Sequence, residues 1–163
     1  MSWQNEISRM IRFLVDDVNT VVYTDNLMEE AILVAAQFVI RDIGQTVTYS
    51  IDVDTRTFTP DPTSSTPKDD FLINLTALKT ACILLYGEVK QAAKQSIQIV
   101  DGPSSINLSG YFNAISKVHK DLCKEYENML YQARLNTSTE NFAAITGPIT
   151  VEMLGPINFR NFN

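Results

Sequence analysis

Apolar residues recur at steps of three and four in four long stretches of the chain, the spacing of one face of an α-helix. A short connector joins the third stretch to the fourth, so these two helices are expected to run antiparallel. The pattern predicts a mainly α fold, an antiparallel helical bundle of about four helices. The stretches are residues 4–15, a segment capped by Thr24 or Asp25 and stopped by Gly44, a segment from Asp69 or Asp70 to about Gln95, and a last segment that ends near residue 135.

Residues 46–60 show a different pattern, in which β-branched and aromatic residues alternate with polar ones. A period of two is typical of a β-strand, and Asp54-Thr55 interrupts the run at its middle. We therefore expect a small β-hairpin with strands near 46–53 and 56–60, inserted into a helical domain of residues 1–135. The polar segment at 60–70 carries three of the six prolines and is predicted to be irregular.

The final segment, residues 136–163, is apolar but lacks helical spacing. It carries three charged residues and contains Gly-Pro-Ile twice, and Gly-Pro breaks helices. An apolar segment of this kind needs a surface to lie on, so we expect an extended C-terminal arm that orders on a neighbouring subunit or partner. The arm residues expected at the contact are Phe142, Ile149, Val151, Leu154, Ile157, Phe159 and Phe162.

Composition narrows the class of protein. With 163 residues, 45% apolar and 20% charged, the chain is expected to form one globular domain. The net charge of −6 argues against a primary nucleic-acid binder, which needs a basic surface, but it is compatible with a wall along which DNA slides. The N-terminus lacks the pattern of a signal peptide, and the longest apolar run, 31–40, is too short to span a bilayer. We therefore expect synthesis in the cytoplasm and no membrane partner.

The cysteines and the single histidine are the first candidates for chemistry. His119 and Cys123 are four residues apart, the spacing of two metal ligands on one helix face. A zinc site there would have to borrow carboxylates or a second subunit, so ordinary placement on the flank of the helix is the preferred interpretation. Cys82 and Cys123 are expected as reduced, buried thiols, with a disulfide as the minority alternative.

The acidic residues do not predict a metal-binding or catalytic site. The stretch from Asp52 begins like a calcium-binding loop but lacks the required Gly at its sixth position and Glu at its twelfth. Asp16-Asp17 and Asp69-Asp70 are interpreted as helix-end charges and solvated loops. Phosphate-binding Gly-rich motifs are absent from the sequence as well. We therefore expect no catalytic site, no cofactor and no metal, and a protein that is not an enzyme but acts by binding and assembly.

The connector "SIQIVDGPSSINLSG", residues 96–110, joins the third and fourth helices. Its first part alternates like a short strand, Asp101-Gly102 predicts a turn, and Pro103 restricts that turn. Ser105 or Asn107 is predicted to cap the last helix. A connector of this kind would be a rigid place from which to contact a neighbour.

This connector and its flanks resemble the head-to-tail adaptor (neck or connector) proteins of tailed bacteriophages. In that family an Ala-rich helix leads into a short strand, an Asp-Gly turn and a Ser-Ile start to the last helix. Here the "YTD" of residues 23–25 also resembles the family's link between its first helices, whereas Asn107 stands where an acid is expected. The residues that stand at the positions of this pattern are Glu88, Ala92, Ala93, Ile97, Ile99, Asp101, Gly102, Ser105, Ile106 and Asn107.

The resemblance implies a structural virion protein at the head–tail junction. Such a protein forms a homo-oligomeric, usually dodecameric, ring that docks on the portal protein and contacts the next neck or tail protein, while DNA passes non-specifically through its lumen during ejection. Two alternatives stay open: another phage neck protein (head closure or tail terminator), or a helical non-enzymatic interaction module. The connector residues expected at a partner interface are Ile99, Asp101, Gly102, Pro103, Ser104 and Ser105.

Overall fold

The computed structural model describes residues 2–44, 49–95, 99–101, 104–106 and 109–145. The predicted mainly α fold is confirmed, and the hairpin expected within 46–60 is present; residues 46–48 of its first predicted strand lie outside the described residues. Within the described residues the elements follow in the order α1 (Trp3–Leu14), α2 (Asp25–Ile43), β1 (Ser50–Asp52), β2 (Thr57–Thr59), α3 (Asp70–Gln95), β3 (Ile99–Asp101), β4 (Ser104–Ile106) and α4 (Ser109–Ile145).

The helix boundaries follow from local capping chemistry. Thr24 precedes α2, and its Oγ1 accepts a hydrogen bond from the Leu27 amide at 3.4 Å. Gly44 ends α2 in the left-handed conformation, φ 62°, which glycine adopts without steric cost. Before α3, Asp69 Oδ1 accepts from the Leu72 amide at 3.0 Å. These residues are the predicted caps and stop.

Helix α3 is the centre of the bundle, because α1, α2 and α4 all pack against it. Its Ala77 and Ala81 are almost fully buried, and side chains this small let neighbouring helices approach closely. The core around α3 also includes Ile7, Ile11, Met28, Ile32, Leu33, Leu72 and Leu75, all of them fully buried.

Within the described residues, α3 is long enough and apolar enough to cross a membrane, by length and composition only. However, 56% of its most apolar window is buried inside the protein. A helix surrounded by other helices is apolar on most of its circumference for that reason alone. The apolar character of α3 is thus accounted for by its central place in the bundle.

The β1–β2 hairpin is held against the first helix by aromatic packing. Phe58 is buried and lies edge-on to Trp3 and Tyr49, with ring centroids 6.0 and 5.6 Å away. Asp52 Oδ1 accepts hydrogen bonds from the amides of Asp54 and Thr55, at 2.9 and 3.2 Å. The segment that begins like a calcium loop therefore uses its first carboxylate to close a hairpin turn.

Helices α3 and α4 run antiparallel with a register that several contacts fix. Cys82 lies opposite Cys123, and Lys79 Nζ lies 4.5 Å from the centroid of the Tyr126 ring. In this register the start of α3 is level with residue 135 of α4. Helix α4 has 37 residues and a length of about 55 Å, so its last turns extend past α3.

This length corrects the expected start of the C-terminal arm. An extended arm was predicted from Asn136, but α4 continues through Ile145. The physical reason is that the first helix-breaking pair, Gly147-Pro148, comes later in the chain. Phe142 therefore lies within α4, and its side chain is outside what the structure describes. The other predicted arm residues, Ile149, Val151, Leu154, Ile157, Phe159 and Phe162, also lie outside the described residues.

One buried hydroxyl in α3 gives a test of the core. Among the described side chains, Thr76 Oγ1 is buried and has no hydrogen-bond partner. Thr76→Val is expected to raise the free energy of unfolding by about 1 kcal/mol, because valine keeps the shape and removes the buried polar atom. Thr80→Val is the matched control, since the Thr80 hydroxyl donates to Thr76 O at 2.7 Å. Urea unfolding in which the Thr76 variant is less stable than the Thr80 variant would contradict this.

Candidate assembly surfaces and a cysteine–histidine cluster

The connector forms a second β-hairpin. Strands β3 and β4 pair antiparallel with Ile99 opposite Ile106 and Asp101 opposite Ser104. Two residues, Gly102 and Pro103, lie between the strands, and a two-residue link is the usual connection of a tight hairpin. These two residues are themselves outside the described ones.

The second strand was not predicted, and this changes one assignment. Ser105 was a candidate cap for the last helix, but it lies in β4 opposite Val100, and α4 begins only at Ser109. Asn107, the other candidate cap, is outside the described residues. Of the six connector residues expected at a partner interface, the hairpin places the backbones of Ile99, Asp101, Ser104 and Ser105 together.

A hairpin of two strands can bind a third. Within the described residues each strand of the connector has one partner, so its outer edge keeps backbone N–H and C=O groups for an added strand. An extended segment from another chain can add to such an edge through main-chain hydrogen bonds. The connector is therefore a candidate docking edge, held between the ends of two long helices.

The loop between α1 and α2 exposes apolar side chains that sequence reasoning missed. Val18, Val21 and Val22 are 51%, 83% and 61% exposed, and we call residues 15–24 the valine loop. Several apolar side chains exposed together on one short loop are characteristic of an interaction site. The signal in the sequence was the apolar content of "DDVNTVVYTDN", which was interpreted only as an interruption between helices.

A buried ion pair fixes the valine loop. Asp17 was expected to be a solvated charge, but it is 3% exposed and binds Arg12 at 2.7 Å. Its two carboxylate oxygens also accept hydrogen bonds from the amides of Val21, Val22 and Tyr23, at 2.8 to 3.0 Å. A single carboxylate therefore organises the loop from within, which leaves the valines to point outward.

The pKa of Asp17 reflects this environment. Burial by itself would raise the pKa, but hydrogen bonds from the amides of Val22, Tyr23 and Val21, with the charge of Arg12, outweigh it. The result is a pKa below the ordinary value of 3.8. Asp17 is thus an ionised structural residue in the native protein.

Two segments that carry the phage-adaptor resemblance are in direct contact. The hydroxyl of Tyr23, from "YTD", donates a hydrogen bond to Glu88 of α3. Burial and this carboxylate raise the pKa of Tyr23. Asp25 of the same motif binds Arg12 at 2.7 Å. The motif thus connects α1, α2 and α3 at one end of the bundle.

An apolar groove adjoins the valine loop. Phe13 is 67% exposed; it shares a depression with Val18 and also borders a groove of about 510 Å³ between α1, α3 and α4. Phe13 therefore borders two different surfaces, the depression at Val18, which is lined mostly by polar and charged side chains, and the apolar groove. We call this cavity the Phe13 groove; its lining is Met10, Phe13, Leu14, Asn74, Ala77, Leu78, Glu125 and Met129.

The bonding state of the two cysteines differs from the prediction. They were predicted to be reduced and buried, but Cys82 of α3 and Cys123 of α4 form a disulfide, and both are partly buried. Their Cα atoms are 5.4 Å apart, within the range that a disulfide requires. The structure therefore contains the disulfide, which was the less favoured alternative, because the antiparallel register of α3 and α4 brings the two cysteines face to face.

His119 completes a cluster with the two cysteines. Its Nε2 lies 3.3 Å from Cys123 Sγ and 3.8 Å from Cys82 Sγ. The ring stacks on Tyr86, with centroids 5.6 Å apart, and Lys90 Nζ lies 4.1 Å from the centroid of the Tyr86 ring. The sequence had paired His119 with Cys123 alone; the structure adds Cys82 as a third group with metal-ligand chemistry.

No family model matches the chain, and neither a curated protein nor a solved structure matches it.

Proposed function

We propose that this chain is a head-to-tail adaptor of a tailed bacteriophage, a structural protein without enzymatic activity. In the virion neck its ring docks on the portal protein and joins the capsid to the next neck or tail protein, with DNA passing through the lumen. The observation that carries the proposal is the connector hairpin between the two longest helices, at the position where the sequence resembles that family.

The hairpin suits a docking role for a physical reason. Its strands are tied to the ends of α3 and α4, and these helices are joined by a disulfide and packed along the length of α3. A docking edge on a stiff support loses little conformational entropy on binding. The contact between Tyr23 and Glu88 supports the same proposal, because it joins two separate segments of the resemblance.

The exposed apolar surfaces suit lateral contacts in a ring. A closed ring is built from heterologous contacts, in which one face of a subunit binds a different face of its neighbour. The valine loop and the Phe13 groove provide two neighbouring apolar patches, with a mostly polar depression between them, and together they form one candidate face. Exposed aromatic and aliphatic side chains on α4 are the candidates for the second face: Tyr111, Val118, Tyr131 and Leu135.

Ring formation is tested by native mass spectrometry of the full chain, alone and mixed with the portal protein encoded in the same genome. We expect a closed ring in at least the mixture. Val21→Lys is expected to raise the concentration needed for assembly by more than about tenfold, because it places a charge on the apolar loop. Gln37→Lys is the matched control, since Gln37 is also exposed but lies on α2 about 18 Å along the helix from Asp25, where α2 leaves the loop.

A chain that stays monomeric with and without the portal protein would contradict the adaptor proposal. Circular dichroism of both lysine variants establishes that they keep the helical fold. If Val21→Lys assembled like Gln37→Lys, the valine loop would have no part in the ring.

A further inference from the structure

We propose that the reduced form of the Cys82–His119–Cys123 cluster binds a thiophilic divalent cation of the Zn²⁺ class, and that disulfide formation releases it. All three side chains offer a ligand atom, and these atoms lie within 4.8 Å of one another. Two thiolates and one imidazole are a donor set that zinc binds in proteins, with the fourth tetrahedral position open to water. The proposal goes beyond assembly and does not depend on it.

The distances around His119 fit a shared ion. With metal–sulfur and metal–nitrogen bonds of about 2.3 and 2.0 Å in a tetrahedron, a nitrogen and a sulfur ligand are about 3.5 Å apart. In the disulfide form the Nε2–Sγ distances are 3.3 and 3.8 Å, already close to that value, so reduction has to change chiefly the separation of the two sulfurs. Two sulfur ligands would be about 3.8 Å apart. Reduction breaks the S–S bond, and two sulfur atoms without a bond repel each other at bond length. The sulfurs therefore move apart, toward this separation.

The imidazole is already oriented for this role. Nε2 faces both sulfurs, and stacking on Tyr86 restricts rotation of the ring. For Nε2 to bind a cation, the ring proton has to be on Nδ1. Both helices supply ligands, Cys82 from α3 and the other two from α4, four residues apart on one face.

The chemistry balances as a two-electron exchange. A dithiol reductant gives two electrons and two protons to the Cys82–Cys123 bond, and its own thiols become a disulfide. The cation then replaces the two thiol protons, which are released to solvent. In the reverse direction a low-molecular-weight disulfide accepts two electrons from the two thiolates and two protons from solvent and leaves as two thiols; the Cys82–Cys123 bond forms again and the cation departs. Either state links α3 to α4, by a covalent bond or by an ion.

Cobalt is the probe for this site, because Co²⁺ bound to thiolates in a tetrahedron gives sulfur-to-metal charge-transfer and visible d–d absorption. The full chain is reduced, freed of reductant under anaerobic conditions and titrated with Co²⁺. We expect one Co²⁺ per chain, displacement by Zn²⁺, and loss of the absorption when oxidised glutathione restores the disulfide. His119→Gln is expected to weaken Co²⁺ binding by more than about a hundredfold, since it removes a ligand itself and not merely a supporting hydrogen bond.

The control is the Cys82→Ser/Cys123→Ser double variant, which should give no charge-transfer band. Far-ultraviolet circular dichroism, recorded on every sample, reports whether the reduced chain keeps its helices. The proposal is overturned if the reduced chain binds no more Co²⁺ than the double variant, if His119→Gln binds as tightly as the wild type, or if oxidation leaves the cation in place. A reduced chain that unfolds and does not regain its helices with Co²⁺ would overturn it equally.

Discussion

Asp17→Asn is expected to lower the free energy of unfolding by about 3 kcal/mol. The carboxylate is 3% exposed, pairs with the buried Arg12 and accepts hydrogen bonds from three amides of the valine loop. Asparagine fits the space but leaves the Arg12 charge without this partner, and breaking a buried pair costs more than an exposed one. Urea unfolding followed by circular dichroism measures the loss.

Asp16→Asn is the matched control, because it removes one negative charge at the neighbouring, exposed position. Asp16 has a φ of 57°, and asparagine tolerates this left-handed conformation. The control should change the free energy of unfolding by less than about 0.5 kcal/mol. Equal losses in the two variants would show that net charge, and not the buried network, decides stability.

The same network predicts a pH dependence. The pKa of Asp17 in the folded protein is below its ordinary value of 3.8, so the unfolded chain binds this proton more readily. The contribution of Asp17 to stability is therefore complete above the unfolded-state pKa and is lost as pH falls through the folded-state pKa. In urea unfolding from neutral to acidic pH, the gap between wild type and Asp17→Asn should narrow below about pH 4. A gap that is independent of pH would contradict this.

Loss of the Cys82–Cys123 disulfide has the second large expected effect, about 4 kcal/mol in the free energy of unfolding. The two residues are 41 apart in sequence, and a link across a loop of that size restricts the unfolded chain. For a domain of this length the corresponding fall in melting temperature is roughly 10 °C. The Cys82→Ser/Cys123→Ser variant and the wild type, each with and without reductant, are compared by thermal unfolding in the presence of a metal chelator.

Reductant should lower the melting temperature of the wild type to that of the double serine variant and leave the variant unchanged. This pattern separates the disulfide from the effect of substituting two partly buried side chains. If reductant had no effect on the wild type, the two cysteines would not be bonded in the purified protein.

Most of the fold could be predicted from the sequence, because each helix carries its own local signals. Thr24, Gly44 and Asp69 are caps or stops by residue type alone, and the apolar spacing between them gave the helix type. The start of the C-terminal arm was the exception. There the low helical periodicity after residue 135 was given more weight than the position of Gly147-Pro148, the first pair that breaks a helix.

The candidate sites depended more on tertiary structure. Burial of Asp17 could not be predicted, since an Asp-Asp pair at a helix end usually stays in water and only the path of residues 15–24 brings three amides to it. The cysteine cluster did have a signal in the sequence. Cys82 and Cys123 are equally far from the middle of the connector, so an antiparallel helical hairpin places them opposite each other. His119 follows from that register, one turn before Cys123.

The most direct test of the central proposal is cryo-electron microscopy of purified virions of any phage whose genome is found to carry the gene for this chain. We expect a ring of copies between the portal protein and the next neck or tail protein, with α3 and α4 recognisable as an antiparallel pair and the β3–β4 hairpin touching a neighbouring protein. Particles whose head–tail junction contains no copy of the chain would contradict the adaptor proposal.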